Sequence, residues 1–180
     1  MTLEEIAEVC WANRYIFGSE KKENWDSKIF TSKWLKKNHK DAYSKYKETN
    51  GWYWIECTEE IRNIKQKDNF PESHDNIIDW TDTSKTNESL FNKNICSEFS
   101  KNRVIYNGHA DRVFNRIRSH LFVKNKKTGA LGISYYDVKP QSITISIIHI
   151  GIINGLALSD EEKTEIIRYC NSTIGRRAIE

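Results

Sequence analysis

The feature that most constrains the fold is a strand pattern followed directly by an amphipathic, basic helix pattern, over residues 103–122. Residues 103–108 are branched and aromatic and end in a turn-forming Asn-Gly pair, so they predict a β-strand. Residues 111–122 carry apolar side chains at the spacing of one buried helix face, namely Val113, Phe114, Ile117 and Leu121. Because this face must be buried, the unit predicts a helix packed on a sheet.

Two further segments have strand patterns. Residues 52–57 follow an Asn-Gly turn and are aromatic and branched, and residues 143–150 begin as an alternation of apolar and polar side chains. Together with the strand at 103–108 they predict an α+β fold with a small, mostly antiparallel three-stranded sheet flanked by helices.

Helix patterns dominate the first fifty residues. Apolar side chains fall near helical spacing in residues 3–15, and Thr2 with Glu5 forms a capping-box pattern. Residues 26–47 mix aromatic residues with many lysines and predict one or two further helices. This region, residues 1–50, suits either a DNA-binding appendage or helices that pack on the core.

The remaining segments complete the domain organisation. Residues 58–100 are polar and predict an insertion with little regular structure of its own. Ser159 and Glu162 form a second capping-box pattern, for a helix expected to reach about Asn171, with Gly175 separating it from another. We therefore predict a helical region at 1–50 and one domain at 51–180, with the insertion at about 58–100.

Composition favours an ordered cytoplasmic domain. The 180 residues include six Trp, eight Tyr and seven Phe, which supply a core for one domain. No apolar run approaches the roughly 20 residues needed to cross a bilayer, and the N-terminus is acidic where a signal peptide would be basic. The four cysteines form no CxxC pair and are expected to be buried free thiols: Cys10, Cys57, Cys96 and Cys170.

Positive charge is concentrated in one part of the chain. The net charge is only +3, but residues 101–139 contain nine Lys and Arg residues against two Asp, a local net charge of +7. Such a density suits a polyanion, so DNA is the expected partner.

Two aromatic tripeptides resemble the signature of the GIY-YIG nuclease superfamily. Residues 51–53 are Gly-Trp-Tyr and residues 106–108 are Tyr-Asn-Gly, similar to the two halves of the signature with Trp and Asn in place of its isoleucines. In that family an Arg falls eight residues after the second Gly and a His frequently falls twelve after it, which here gives Arg116 and His120. Their i, i+4 spacing predicts that both side chains face the same volume.

The resemblance implies a metal-dependent DNA endonuclease of restriction or mobile-element type. It makes Tyr53 the candidate base, Tyr106 the group that orients phosphate or water, Arg116 the phosphate clamp and His120 an aid to proton transfer. A phenol with a free pKa of about 10 is a poor base at neutral pH, so the nearby cations are expected to lower the pKa of Tyr53. His109 is a further candidate to bind substrate.

Arg112 lies along the same helix as Arg116 and is also a candidate to bind substrate. The resemblance further implies one divalent cation, Mg²⁺ or Mn²⁺, held by a Glu on a late helix. Residues 176–180, Arg-Arg-Ala-Ile-Glu, are similar to the start of the stretch that carries this Glu in the family. The sequence ends at Glu180. Either the sequence is truncated there and Glu180 is the ligand, as we favour, or the ligand is Glu165 or Glu162.

The resemblance covers residues 51–180 and departs from the family in the long insertion between the two tyrosines. Three functional classes follow. The first is a DNA endonuclease, with a homodimer compatible with the sequence. The second is a nucleic-acid-binding domain of the same fold that has lost cleavage. The third is a structural or interaction domain.

Overall fold

The centre of the molecule is an antiparallel sheet of four strands in the order β1-β4-β2-β3. The computed structural model describes residues 2–17, 25–47, 51–59, 63–71, 77–81, 103–123, 129–149, 152–153 and 156–179. The strands of the sheet are β1 (Tyr15–Phe17), β2 (Gly51–Cys57), β3 (Arg103–Ala110) and β4 (Ile143–Ile148). The α+β class and the antiparallel sheet are as predicted, but the predicted number of three strands is wrong.

The fourth strand, β1, comes from a segment that the sequence predicts as the end of a helix. Helix α1 spans Leu3–Ala12, and the capping box at its start is confirmed by the mutual hydrogen bonds of Thr2 and Glu5. The chain then turns and β1 pairs antiparallel with β4, with Tyr15 opposite Ile147. The helical spacing in residues 13–15 is therefore overridden by pairing with a strand that is remote in sequence.

Strand β2 lies between β3 and β4 and carries the first tyrosine of the motif. Tyr53 is opposite Gly108 on β3 and opposite Ile147 on β4. Side chains alternate along a strand, so Tyr53 and Ile55 face one side of the sheet while Trp54 faces the other.

Five α-helices lie in the described part of the chain, and the sheet carries helices on both faces. After α1 these are α2 (Ser32–Asn38), α3 (Lys40–Tyr46), α4 (Val113–Phe122) and α5 (Asp160–Ile179). A separate two-stranded ribbon joins β5 (Ile152–Ile153) to β6 (Leu156–Ala157).

Helix α5 begins at the predicted capping box, where Glu162 accepts the Ser159 backbone N–H at 2.7 Å. The predicted break at Gly175 is wrong, because the helix is continuous to Ile179. A glycine within a helix costs only about 1 kcal/mol relative to alanine, which does not by itself end a helix.

The two faces of the sheet are covered by different clusters. On the face of Tyr53, α4 packs through Ile117 and Leu121, and the N-terminal segment contributes Phe17 and Leu35 to the same core. The opposite face is covered by α1 and α5, whose buried residues meet those of the sheet: Ala7, Cys10, Trp11, Trp54, Val104, Ile148, Ile166, Ile167 and Cys170.

Three cysteines are buried free thiols as predicted, namely Cys10, Cys57 and Cys170, whereas Cys96 lies outside the described residues. Most of the predicted insertion at 58–100 also lies outside them. Of its described parts, Ile64 and Trp80 belong to the core. No helix among the described residues is both long and apolar enough to span a membrane.

Candidate active site

A tyrosine of the central strand and a histidine of α4 form the centre of the site. The Tyr53 hydroxyl lies 2.9 Å from Nε2 of His120, and both residues are buried, with 1% and 0% of their surface exposed. Strand β2 places the tyrosine and α4 places the histidine, because Ile117 and Leu121 hold that helix against the sheet.

The second tyrosine packs against both members of this pair. The ring centroid of Tyr106 lies 4.2 Å from that of His120 and 6.0 Å from that of Tyr53. Tyr106 is half-buried, so it connects the buried pair with the surface.

Gly108 is required by the approach of the two tyrosines. A Cβ atom on Gly108 would lie 2.7 Å from the Tyr53 hydroxyl and 2.9 Å from Cε1 of Tyr106. Any larger residue at this position would displace the two tyrosine rings. The packing of the rings therefore requires a glycine at the third position of the second tripeptide.

Arg116 supplies the positive charge of the site. It lies one helical turn before His120, is half-buried, and acts on the Tyr53 phenol both as a charge and as a hydrogen-bond donor. Tyr53, Tyr106, Arg116 and His120, which the sequence predicts as catalytic, are therefore brought together in one place.

The electrostatics of the pair differ from the expectation. Burial raises the pKa of Tyr53 well above its usual range, and the Arg116 charge offsets this only in part. The expected lowering of the tyrosine pKa is thus not produced by the residues around it. Burial, and then Arg116, lowers the pKa of His120 to about 3. At neutral pH both groups are uncharged.

A neutral imidazole has one nitrogen that donates and one that accepts. Nδ1 of His120 is buried and has no hydrogen-bond partner among the residues that the structure describes. Nε2, in contrast, lies at the Tyr53 hydroxyl. The Tyr53 hydroxyl therefore donates to Nε2 when Nδ1 carries the imidazole proton and accepts from Nε2 when Nε2 carries it.

The two predicted substrate-binding residues lie in different places. His109 is opposite Trp52 in the sheet, with ring centroids 5.0 Å apart, and Trp52 packs against the cluster on the far face. His109 is therefore exposed on the side of the sheet away from Tyr53. Arg112 is exposed at the start of α4, one turn before Arg116.

The candidate metal ligands are not part of the described cluster. Glu165 is 47% exposed and forms an ion pair with Arg168 at 3.0 Å, on a helix that packs against the far face of the sheet. Glu162 is engaged in the capping box, and Glu180 lies outside the described residues. No group of three His, Cys, Asp or Glu side chains lies together within the described ranges.

One feature was not predicted from the sequence. A cavity of about 80 Å³ lies beside the start of α4, lined by Arg112 together with Lys47 of the segment after α3. These two residues are far apart in the chain, and no motif joins them.

Comparisons with protein-family models, with curated proteins and with solved structures found no match for this chain. The function is therefore argued from the geometry of the site. Its distinguishing property is a buried, neutral Tyr–His pair, joined to the surface by a half-buried tyrosine and a half-buried arginine.

Proposed function

We propose that this chain is a metal-dependent endonuclease of the GIY-YIG type, which hydrolyses a phosphodiester bond in DNA. The observation that carries the proposal is the convergence of Tyr53, Tyr106, Arg116 and His120 at one place from three separate elements. A phosphate can be bound and attacked only by groups that share its neighbourhood, so this convergence is the condition that any such enzyme must meet.

Arg116 is the proposed clamp for the scissile phosphate. Its guanidinium stays charged at any relevant pH and its planar fork matches two phosphate oxygens at once. Because the side chain is half-buried, its attraction for an anion is screened less than that of an exposed arginine. Negative charge that builds on the phosphate during attack would be stabilised there.

Tyr53 and His120 are the proposed path for the proton of the attacking water. As the water oxygen forms its bond to phosphorus, its proton passes to the Tyr53 oxygen, while the phenolic proton passes to Nε2 of His120. The bond from phosphorus to the leaving oxygen then breaks, and the leaving oxygen keeps the bonding electron pair and takes a proton from solvent. Tyr53 never has to become a free phenolate, which suits a group whose pKa is raised by burial.

His120 can accept this proton when substrate is bound. In the free protein, burial and Arg116 keep its pKa at about 3. A phosphodiester held by Arg116 brings a negative charge that opposes the effect of the Arg116 charge on the imidazole and so raises its pKa. The imidazole of His120 would thus accept a proton at neutral pH only when the phosphodiester is bound.

A divalent cation, Mg²⁺ or Mn²⁺, would stabilise the charge on the leaving oxygen. The described residues around the Tyr–His pair do not themselves form a set of ligands for it. Glu180, with Glu165 as the alternative, remains the proposed ligand on the resemblance alone, and no step above depends on either.

The test is cleavage of supercoiled plasmid in the presence of Mg²⁺ or Mn²⁺. We expect nicking by the wild-type protein and by Arg118→Ala, since the hydrogen bond that Arg118 forms with the described residues goes to the backbone oxygen of Ser27, at 3.0 Å. We expect none from Arg116→Ala, although both variants lose one arginine from the same helix. Equal nicking by the two variants would contradict the role of Arg116.

A second candidate function is DNA binding without cleavage. It is favoured by one observation: among the described residues, the carboxylates of Glu162 and Glu165 are engaged away from the Tyr–His pair. A wild-type protein that shifts the mobility of DNA but leaves plasmid supercoiled with either metal would support this function in place of the nuclease.

A further inference from the structure

A cavity of about 80 Å³ lies between α2, α3 and the start of α4. A single water needs only roughly 10–15 Å³ of such space, so the cavity has room for a larger polar group. Its wall includes two exposed cations from different parts of the chain, Lys47 and Arg112. Neither forms an ion pair within the described part of the chain.

The rest of the wall is mostly polar where it is open to the cavity. Ser32 and Asn115 add short polar side chains, whereas Phe30 and Phe114 lie beneath them and are almost completely buried. Lysine and arginine bind phosphate oxygens of nucleic acids. Two cations beside short polar side chains match one phosphate group of a nucleic-acid strand.

The cavity lies near the proposed active site along the chain of α4. Arg112 immediately precedes α4 and Arg116 lies one helical turn later, a rise of about 6 Å, and the Arg116 backbone N–H donates to the Arg112 carbonyl at 3.1 Å. This separation is comparable with that of successive phosphates along one strand. The backbone spacing of Arg112 and Arg116 therefore suits two neighbouring phosphates of the same strand.

We propose that this cavity is a second phosphate subsite, in which Lys47 and Arg112 bind the phosphate next to the scissile one. The inference rests on the proposed function and adds a binding contact to it. It assigns to α2 and α3 a direct part in holding the DNA strand, because Lys47, Tyr43 and Ser32 all come from that region.

The test is the salt dependence of DNA binding, measured by fluorescence anisotropy of a labelled duplex in EDTA. For the double variant Lys47→Ala/Arg112→Ala we expect affinity to fall about tenfold for each cation. We also expect the slope of log K against log salt to become shallower by about 0.9 for each lost phosphate contact.

The matched control is Lys33→Ala/Lys40→Ala, which removes two exposed lysines of α2 and α3 that do not line the cavity. Its slope is expected to stay near the wild-type value. Ser32→Trp fills the cavity without changing charge, so it should weaken binding while leaving the slope unchanged. Thermal unfolding of each variant shows that the fold is kept.

Equal slopes for the two double variants, or wild-type affinity in Ser32→Trp, would overturn the subsite. Those results in a protein that still binds and cuts DNA would leave the proposed function intact. A wild-type protein with no affinity for DNA would overturn both, and the two failures are therefore distinguishable.

Discussion

The Tyr53 hydroxyl lies 2.9 Å from Nε2 of His120, although 67 positions separate the two residues in the chain. Both groups are buried and uncharged at neutral pH, so their hydrogen bond is not an ion pair. A buried donor or acceptor is costly to leave unsatisfied, so this bond stabilises the fold, and tyrosine and histidine are also side chains that can pass on a proton. We interpret it as the proton acceptor of the proposed reaction.

Tyr53→Phe should reduce single-turnover cleavage by about 10²-fold or more, because it removes the hydroxyl between water and His120 but keeps the ring. The unfolding free energy should also fall by about 1–3 kcal/mol, since Nε2 of His120 loses its partner. Tyr15→Phe is the matched control, as the Tyr15 hydroxyl lies 3.2 Å from Nδ1 of His39, another Tyr–His contact. Similar cleavage by both variants would exclude Tyr53 from the reaction.

The pKa of His120 predicts a dependence of stability on pH. An unfolded histidine takes up a proton near pH 6.5, whereas folded His120 does so only near pH 3. Between these values the unfolded state binds more protons, so stability is lost as pH falls through this window, with a contribution of at most about 1.4 kcal/mol per pH unit.

Urea unfolding across this pH window measures the effect. His120→Gln cannot titrate there and should show a shallower decline than wild type. His109→Gln, which changes an exposed histidine, should keep the wild-type slope. If all three proteins lose stability in parallel, His120 is not the neutral buried group described above.

Gly108→Ala should destabilise the protein and slow cleavage. The added methyl group would lie 2.7 Å from the Tyr53 hydroxyl, so the ring must move, and overpacking of this kind costs about 1–3 kcal/mol. Gly51→Ala is the comparison, because its new Cβ would lie 3.3 Å from the nearest atom, on Val113, a tight contact that needs a smaller shift than the one at Gly108. Thermal unfolding and plasmid nicking compare the two. Wild-type stability and rate in the Gly108→Ala variant would show that the tyrosines are not held as described.

The proposed cation requirement separates the two candidate ligands. EDTA should abolish nicking, and Glu180→Gln should raise the Mn²⁺ concentration needed for half-maximal rate by about tenfold or more. Glu165→Gln should leave that concentration unchanged, since Glu165 is half-exposed and paired with Arg168. The opposite order would make Glu165 the ligand, and cleavage in EDTA would remove the cation from the proposal.

Short sequence patterns predict much of this fold because helix caps and buried helix faces depend on residues that are close together in the chain. Both capping boxes are present, and the helix at 113–122 buries the face that its spacing indicates. The i, i+4 relation of Arg116 and His120 is likewise set by helix geometry, so their common direction follows once the helix is identified.

Long-range contacts explain what the sequence did not reveal. Tyr15–Phe17 forms a strand only because the edge of β4 is available to pair with it. Side chains alternate between the two faces of the sheet along β3. Gly108 is opposite Tyr53, so the next residue, His109, points to the other face. The protonation state of Tyr53 is also set by burial. Burial raises the pKa of Tyr53 by more than the nearby Arg116 charge lowers it.

The pairing of β1 with β4 also limits how far the chain can be shortened. A protein that began at the strand of the first tyrosine would leave Ile143–Ile148 with a row of open backbone donors and acceptors. Strands of that kind recruit copies of themselves, so such a fragment would be expected to self-associate into insoluble material. The amino-terminal strand, although remote from Tyr53 and His120 in sequence, thus covers an edge of the sheet that would otherwise be open.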